Sequence, residues 1–393
     1  MKNSNANKIK KICIFTDRYP LPNYPANTFL EQLVKAFADN DVECDVVAPY
    51  APFVDFLSGK SYNPPSYDKR ITNANNEINV YCPTFFCPAG RKRFGVDFGM
   101  IYLKDYCRAA KKVLEKQDKE YDAFYAHFIS PSALAAAELG RKYNKPVFFA
   151  YGESSFDIIS KAYSLEYVRG QLKNVSGVVA VSSHNRTELI KQDVINEDKI
   201  KVFPNAVDST AFFVMDKAAV RESLGIDKKA FVIAFVGHFN NRKGSLRVSA
   251  ALSQLENVQS IFIGKGEEPP TCDGVLFCGQ LPHDKIVAYL NAADVFVLPT
   301  LAEGCCNAIV EAMACGLPII SSNLPFNDDI LTDENSIRVD PNDVDAITEA
   351  IKKLKDNPDL RKKMAESALE MAKSLTIQKR AENIMKFMND MSK

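Results

Sequence analysis

Short apolar runs alternate with longer amphipathic stretches along almost the whole chain, and this alternation limits the fold more than any other feature. In the first half the runs "KICIFT", "VECDVVAP", "INVYCP", "DAFYAHF", "PVFFAYG", "GVVAVS" and "KVFPN" read as strands. Between several of them lie helical patterns such as "TFLEQLVKAFADN", "PSALAAAELGRKYN" and "SSHNRTELIKQ". The second half repeats the arrangement. "FVIAFVG", "QSIFIGKG", "GVLFCG", "VFVLPT", "PIISS" and "SIRVD" are strand-like, and "GSLRVSAALSQL", "HDKIVAYLNAA" and "NAIVEAMA" are helix-like. Strands that are apolar nearly throughout, each followed by a helix, imply parallel sheets covered on both faces. The expected class is α/β, with two doubly wound, Rossmann-like domains facing across a cleft and a helical tail.

With 393 residues the chain is long enough for two such domains. The break falls near "FPNAVDSTAFFVMDKAAV". This gives an N-terminal domain over 1–205, a C-terminal domain over 206–375 and a last helix, 376–393, packing back on the first domain. The stretch from Phe53 to Asn76 shows no period and reads as an insertion or mobile loop.

The charge balance is even, 49 basic against 49 acidic residues, which argues against a broadly basic nucleic-acid binder. The ten cysteines match no paired C-x-x-C zinc spacing, and several sit in apolar strands. They read as reduced, buried thiols of a cytoplasmic protein. The first residues lack the apolar core of a secretory signal, and no run approaches the ~20 apolar residues of a membrane span. The segment "GRKRFGVDFGMIYLKDYCRAAKK" mixes Arg91, Lys92 and Arg93 with Phe94, Phe98 and Tyr102. It is either a helix with a solvated face or a peripheral contact with an anionic membrane surface.

Ligands of doubly wound sheets lie at the carboxyl ends of the strands. One such end carries "TLAEGCCNAIVEAMACGLP", in which Glu303 and Glu311 flank the start of a helix. Glu311 lies about 6 Å along the helix axis from Asn307. The backbone N–H groups of Gly304, Cys305, Cys306 and Asn307 precede or open the helix, where an anion such as phosphate is favoured. Carboxylates beside such a site suit hydroxyl groups, and a sugar nucleotide offers hydroxyls on both sides of a diphosphate. The plainer alternative is that Glu303 caps the helix and Glu311 is an exposed helix residue. A second strand end reads "FVGHFNNRKG", where Arg242 and Lys243 could neutralise a departing diphosphate. "GKGEEPP" from Gly264 is a glycine turn without Walker spacing. His184 and His283 stand at helix starts and read as capping or surface residues. Asp343 and Asp345 precede a helix and read as caps rather than metal ligands.

"LPTLAEGCCNAIVEAMACGLPII" resembles the E-x7-E signature of the retaining GT-B glycosyltransferases that use nucleotide-activated sugars. "KVFPNAVD", "FVGHFNNRKG", "FCGQLPHDKIVAYLNAADVFVLPT" and "SSNLPFNDDIL" are similar to further segments of that family, and the first half is similar in layout. The resemblance implies that Glu311 holds the ribose and Glu303 the donor sugar. It implies that Gly304 to Asn307 supply N–H groups to sugar and phosphate, and that Lys243 binds the diphosphate. His127 would lie beside the anomeric centre, and the turn at Pro25 to Thr28 would close over the diphosphate. Gly237, Gly264, Gly279 and Leu281 would line the nucleotide. Two positions depart from the pattern. His238 stands where the family has arginine, so His238 or Arg242 would do its work, and Asn27 stands where the family has glycine.

The resemblance further implies front-face attack without a metal or cofactor, catalysed through His127, Lys243 and Glu303. The donor would be a nucleotide-diphosphate sugar and the acceptor a glycan or lipid-linked glycan, as in cell-surface polysaccharide biosynthesis. The competing expectations are a GT-B epimerase, a phosphorylase or a non-catalytic sugar-nucleotide binder. No lysine stands out for the pyridoxal group of a phosphorylase.

Overall fold

A computed structural model describes residues 8–21, 24, 27–57, 59, 62–88 and 98–392. The chain divides into two compact units, Met1–Phe203 with Gln378–Lys393, and Pro204–Ile377. The crossings fall after Phe203 and Ile377, where the sequence suggested 205 and 375, because backbone bonds extend past the last strands. Phe203 N–H still donates to Ala180 of the first sheet, whereas Val207 exchanges bonds with Leu375 and Ile377 in the second unit.

The first unit holds an eight-stranded sheet. Its strands are β1 (Lys11–Phe15), β2 (Glu43–Val47), β3 (Tyr67–Ile71), β4 (Glu77–Tyr81), β5 (Ala123–His127), β6 (Val147–Tyr151), β7 (Gly177–Ala180) and β8 (Ile200–Val202). They lie in the order β3-β4-β2-β1-β5-β6-β7-β8, parallel except for β3. The helices are α1 (Thr28–Asp39), α2 (Pro52–Leu57), α3 (Gly99–Gln117), α4 (Leu134–Tyr143), α5 (Asp157–Ser160), α6 (Leu165–Leu172) and α7 (Ser183–Lys191). Strand β5 is buried at every position, as a strand covered on both faces must be. The chain reverses direction across the sheet between β1 and β5, which pair directly. The residues just beyond these two strands therefore border a switch-point crevice.

The second unit holds β9 (Val232–Val236), β10 (Gln259–Ile263), β11 (Val275–Gly279), β12 (Val295–Leu298), β13 (Ile319–Ser322) and β14 (Ser336–Val339). Their order is β11-β10-β9-β12-β13-β14, all parallel. The helices are α8 (Lys217–Ser223), α9 (Ser245–Leu252), α10 (His283–Ala292), α11 (Asn307–Ala314), α12 (Val344–Asp356) and α13 (Pro358–Ser374); the last helix, α14 (Ile377–Met391), lies in the first unit from Gln378 on. Here the switch point lies between β9 and β12. Asp343 caps α12 by accepting the Ala346 N–H at 2.9 Å, in line with the capping expectation.

From Gln378 onward the chain belongs to the first unit. Asn389 Oδ1 accepts the Ile9 N–H at 2.8 Å, and the Phe387 ring stands 6.2 Å from that of Phe148. A Cβ at Gly177 would come within 2.8 Å of Phe387, so the absent side chain makes room for the docked helix.

Two sequence expectations need correction, and a third falls largely outside the described residues. The supposedly aperiodic stretch 53–76 contains most of α2 and all of β3. Strand β3 is an antiparallel edge whose Asp68, Lys69 and Arg70 are held by ion pairs, so it lacks an apolar face. Arg91, Lys92, Arg93 and Phe94 lie outside the described residues. Tyr102 of the same segment sits in α3, its ring 5.0 Å from Phe85. All ten cysteines are free thiols, but Cys278 is exposed on the edge strand β11. Among the described residues no helix is long and apolar enough to cross a membrane.

Candidate active site

The floor of the site in the second unit is made of strand-end glycines. Gly237 N–H donates to Ile263 O at 2.9 Å, Phe239 N–H to Lys265 O at 2.7 Å and Gly264 N–H to Gly279 O at 2.8 Å. These bonds draw the loops after β9, β10 and β11 together. A Cβ on Gly264 would sit 1.8 Å from Gly237 O, so only glycine permits the approach. His238 is exposed on this loop, and Leu281 follows β11 half-buried.

The loop after β9 turns back into α9 through Gly244, at φ 84°. The stem of Lys243 passes over Gly237, where a Cβ would meet its Cδ at 3.3 Å. This aims the ammonium at the end of β12. There Glu303 Oε1 accepts from three donors: Lys243 Nζ at 2.7 Å, Arg242 Nη1 at 2.5 Å and Thr300 Oγ1 at 2.9 Å. Among the described residues no donor reaches Oε2. Arg242 Nη1 also donates to Ala302 O at 2.6 Å. Burial opposes the charge on Glu303, but Lys243 and Arg242 outweigh it and hold the carboxyl below its usual range. Burial likewise opposes the charge on Lys243, yet Cys306 and Glu303 hold its ammonium above the ordinary value. The sequence reading assigned Glu303 and Lys243 to different parts of a ligand. In the folded unit they touch, so each sets the other's charge state.

Gly304, Cys305 and Cys306 form the buried approach to α11, with Cys306 at the N-cap position. The Cys306 thiol lies 3.8 Å from Lys243 Nζ. Burial raises its pKa, against the pull of Lys243 and the N–H groups of Ile309 and Ala308. The Cys305 carbonyl accepts from Asn205 Nδ2 at 2.8 Å, which ties this turn to the segment after β8. Asn307 opens the helix, and its Oδ1 is a buried acceptor with no partner among the described residues. Capping of α11 by Glu303 is not seen, because the carboxylate faces the two cations instead.

One turn along α11, Glu311 Oε1 lies 3.0 Å from His283 Nε2. His283 is the first residue of α10, and its ring meets Phe212 edge-on at 5.0 Å. The hydrogen bond to Glu311 raises the His283 pKa; burial opposes this, while Asp284 and Asp208 add to it. His283 is thus not the capping or surface residue that its sequence position suggested. His184 does lie in the first turn of α7, which Ser182 caps.

Two predicted residues belong to the first unit. His127 ends β5, is 2% exposed and has a buried Nδ1 without a partner among the described residues. The rings of Phe29 and Phe128 stand 5.0 and 4.6 Å from it. Burial, with Arg380 nearby, lowers its pKa to about 3, so the imidazole is neutral. Asn27 holds φ 62° at the start of α1 and donates through Nδ2 to Arg18 O at 3.1 Å. Its neighbours Pro25 and Ala26 lie outside the described residues. Sequence reasoning passed over Glu153, which follows β6. Its carboxyl accepts the N–H groups of Ile129 at 2.7 Å and Gly152 at 3.1 Å, holding the turn that follows His127. Burial pushes its pKa up to about 7 against those bonds.

Comparison with known proteins covers both units. The model of glycosyl transferases group 1 matches residues 216–371, and that of Glycosyltransferase Family 4 matches residues 26–211. The chain is 26% identical over 361 residues to a putative teichuronic acid biosynthesis glycosyltransferase of Bacillus subtilis, covering 87% of this chain and 88% of that one. It is 28% identical over 239 residues to the UDP-Gal:alpha-D-GlcNAc-diphosphoundecaprenol alpha-1,3-galactosyltransferase of Escherichia coli, covering 56% of this chain and 61% of that one. The solved sucrose-phosphate synthase of Thermosynechococcus elongatus superposes with a TM-score of 0.74 at 19% identity, covering 96% of this chain and 98% of that one. Two parallel-sheet units with a helical tail, matched in turn by the two family models, place the chain among the GT-B glycosyltransferases.

Proposed function

We propose that this glycosyltransferase takes a sugar from a nucleotide-diphosphate donor bound to the second unit. The sugar passes, with its anomeric configuration retained, to a hydroxyl of a glycan or lipid-linked glycan bound to the first unit. The observation that carries the reading is the paired disposition of Glu303 and Glu311 about the start of α11. Each carboxylate has Oε1 held by a cation or imidazole, and among the described residues neither Oε2 has a donor. A ligand with hydroxyls on both sides of an anion suits that pattern.

In this reading the diphosphate meets Lys243 and the N–H groups at the start of α11, where positive potential concentrates. Arg242 adds charge from beside Lys243, and His238 lies exposed on the same loop. Gly237, Gly264, Gly279 and Leu281 border the nucleoside. Glu303 and the buried Asn307 Oδ1 accept hydroxyls of the sugar, and Glu311 accepts those of the ribose. For His127 and Asn27, both in the first unit, the roles proposed are those that the family resemblance implies. The bond from the anomeric carbon to the diphosphate oxygen breaks and its electron pair leaves with the diphosphate. The acceptor oxygen forms the new bond on the same face, and its proton passes to the departing phosphate. Lys243 and Arg242 stabilise the leaving group, so the reading requires no metal or cofactor. The relative from Escherichia coli acts, by its name, on a lipid diphosphate-linked sugar, which supports a comparable acceptor class and a peripheral contact with the inner membrane face.

Thermal-shift titration with UDP, GDP, ADP and their sugar forms tests the donor. One base series should stabilise the protein, and Glu311→Ala should weaken that nucleotide by about 1–3 kcal/mol. Product analysis with the tightest donor then tests transfer. Failure of every sugar nucleotide to bind, or equal affinity in Glu311→Ala, would remove the reading.

A further inference from the structure

Glu311 presents a problem that its helical position does not solve. It projects from the second turn of α11 with rotatable bonds that must be ordered before its carboxylate can receive a ribose diol. It also brings a negative charge toward a site that is to hold a diphosphate. Glu303 meets the same problem with Lys243 and Arg242. No lysine or arginine pairs with Glu311 among the described residues; its partner is His283.

Resting on the donor reading above, we infer that His283 is a positioning residue for Glu311: its Nε2–H fixes Oε1 at 3.0 Å, turns Oε2 toward the ribose, and when protonated balances the carboxylate beside the diphosphate. The geometry is determined from both sides. His283 is fixed at the first position of α10, and Phe212 sets the ring plane from the segment after β8. Nε2 faces Glu311 from α11, while Asp284 of α10 and Asp208 of the segment after β8 add negative charge around the ring. These three carboxylates favour the imidazolium, so it persists to higher pH than an isolated histidine. With His283 charged, Lys243, Arg242 and His283 together oppose the two glutamates, and His283 contributes one positive unit toward the diphosphate. Deprotonation removes that unit and leaves only a neutral hydrogen bond to Glu311. Donor affinity therefore carries an alkaline limb set by His283.

The test is calorimetric titration of the tightest of UDP-glucose, GDP-mannose and ADP-glucose between pH 5.5 and 8.5. The diphosphate of these diesters does not itself titrate in that window. Wild-type affinity should fall about five- to tenfold as His283 loses its proton. His283→Gln keeps a donor at the same reach and should bind with intermediate affinity and no pH step. His283→Ala should bind about tenfold more weakly at pH 6, and adding it to Glu311→Ala should cost nothing further. If Glu311→Ala binds weakly while both His283 variants match the wild type across the range, the inference is overturned and the ribose role of Glu311 stands. If Glu311→Ala binds normally, the donor reading fails and the inference with it. Should His283→Ala not fold, the His283→Gln profile decides: a retained alkaline limb overturns the inference.

Discussion

Glu303→Gln separates the two jobs assigned to that side chain. One oxygen of Glu303 accepts from Lys243 at 2.7 Å, Arg242 at 2.5 Å and Thr300 at 2.9 Å. Removing one partner of a buried ion pair costs about 3–5 kcal/mol. Here the side chains of Glu303 and Lys243 are 14% and 12% exposed, but Arg242 is 41% exposed and regains water when freed. The loss of stability without ligand should thus be nearer 2 kcal/mol, measured by chemical denaturation. A bound nucleoside diphosphate supplies the missing anion, so the variant should bind it at least as tightly as the wild type. The sugar nucleotide should gain less over its nucleoside diphosphate, because the amide is a poorer acceptor for a sugar hydroxyl. That lost preference should be about 1–2 kcal/mol, or about five- to thirtyfold in the ratio of dissociation constants. Paired calorimetric titrations provide the ratio. Weakened binding of the diphosphate with an unchanged ratio would make Glu303 a clamp for Lys243 and nothing more.

Other perturbations probe neighbouring parts of the account. Lys243→Ala should lower kcat about a hundredfold or more while changing nucleotide affinity much less, since leaving-group charge develops mainly in the transition state; equal turnover in steady-state kinetics would contradict this. Gly264→Ala forces a Cβ to 1.8 Å from the Gly237 carbonyl and should destabilise the second unit by more than about 3 kcal/mol, or abolish nucleotide binding, in thermal-shift assays. Glu153 has its folded pKa raised from 4.5 to about 7, so its contribution to stability is fully present below the lower value and is lost as pH rises through the upper one. That difference is on the order of 3 kcal/mol, and the stability of Glu153→Gln relative to wild type should rise by that order between pH 4 and 8 in denaturant titrations. His127 slopes the other way: its contribution is present above pH 6.5 and lost as pH falls toward about 3, so comparison at each pH with Glu153→Gln isolates the glutamate.

The sequence carried the fold wherever a strand was buried on both faces. Strands such as β5 and β12 announce themselves as unbroken apolar runs, and the switch points they flank locate the site. Strand β3 was hidden because an edge strand with half-exposed faces needs no apolar alternation, and its charged residues find partners in β4, in α1 and within the strand itself. Glu303, Lys243 and Glu311 were legible because they lie next to strand ends or in a helix with a familiar spacing. Their pairings were not. Lys243 and Glu303 are 60 residues apart, and His283 and Glu311 are 28 apart. Local pattern cannot report an ion pair made by bringing two strand ends together. Glu153 was missed for the same reason: its partners are backbone N–H groups, which leave no trace in residue identity.

The most direct test is the fate of the tightest sugar nucleotide on the purified protein, followed by proton NMR with and without acceptor glycan. The account predicts release of the nucleoside diphosphate, slow with water and faster with acceptor. It also predicts that the first-formed sugar product has the donor's anomeric configuration. Saturable nucleotide binding with no release of the sugar, or a product of inverted configuration, would contradict it.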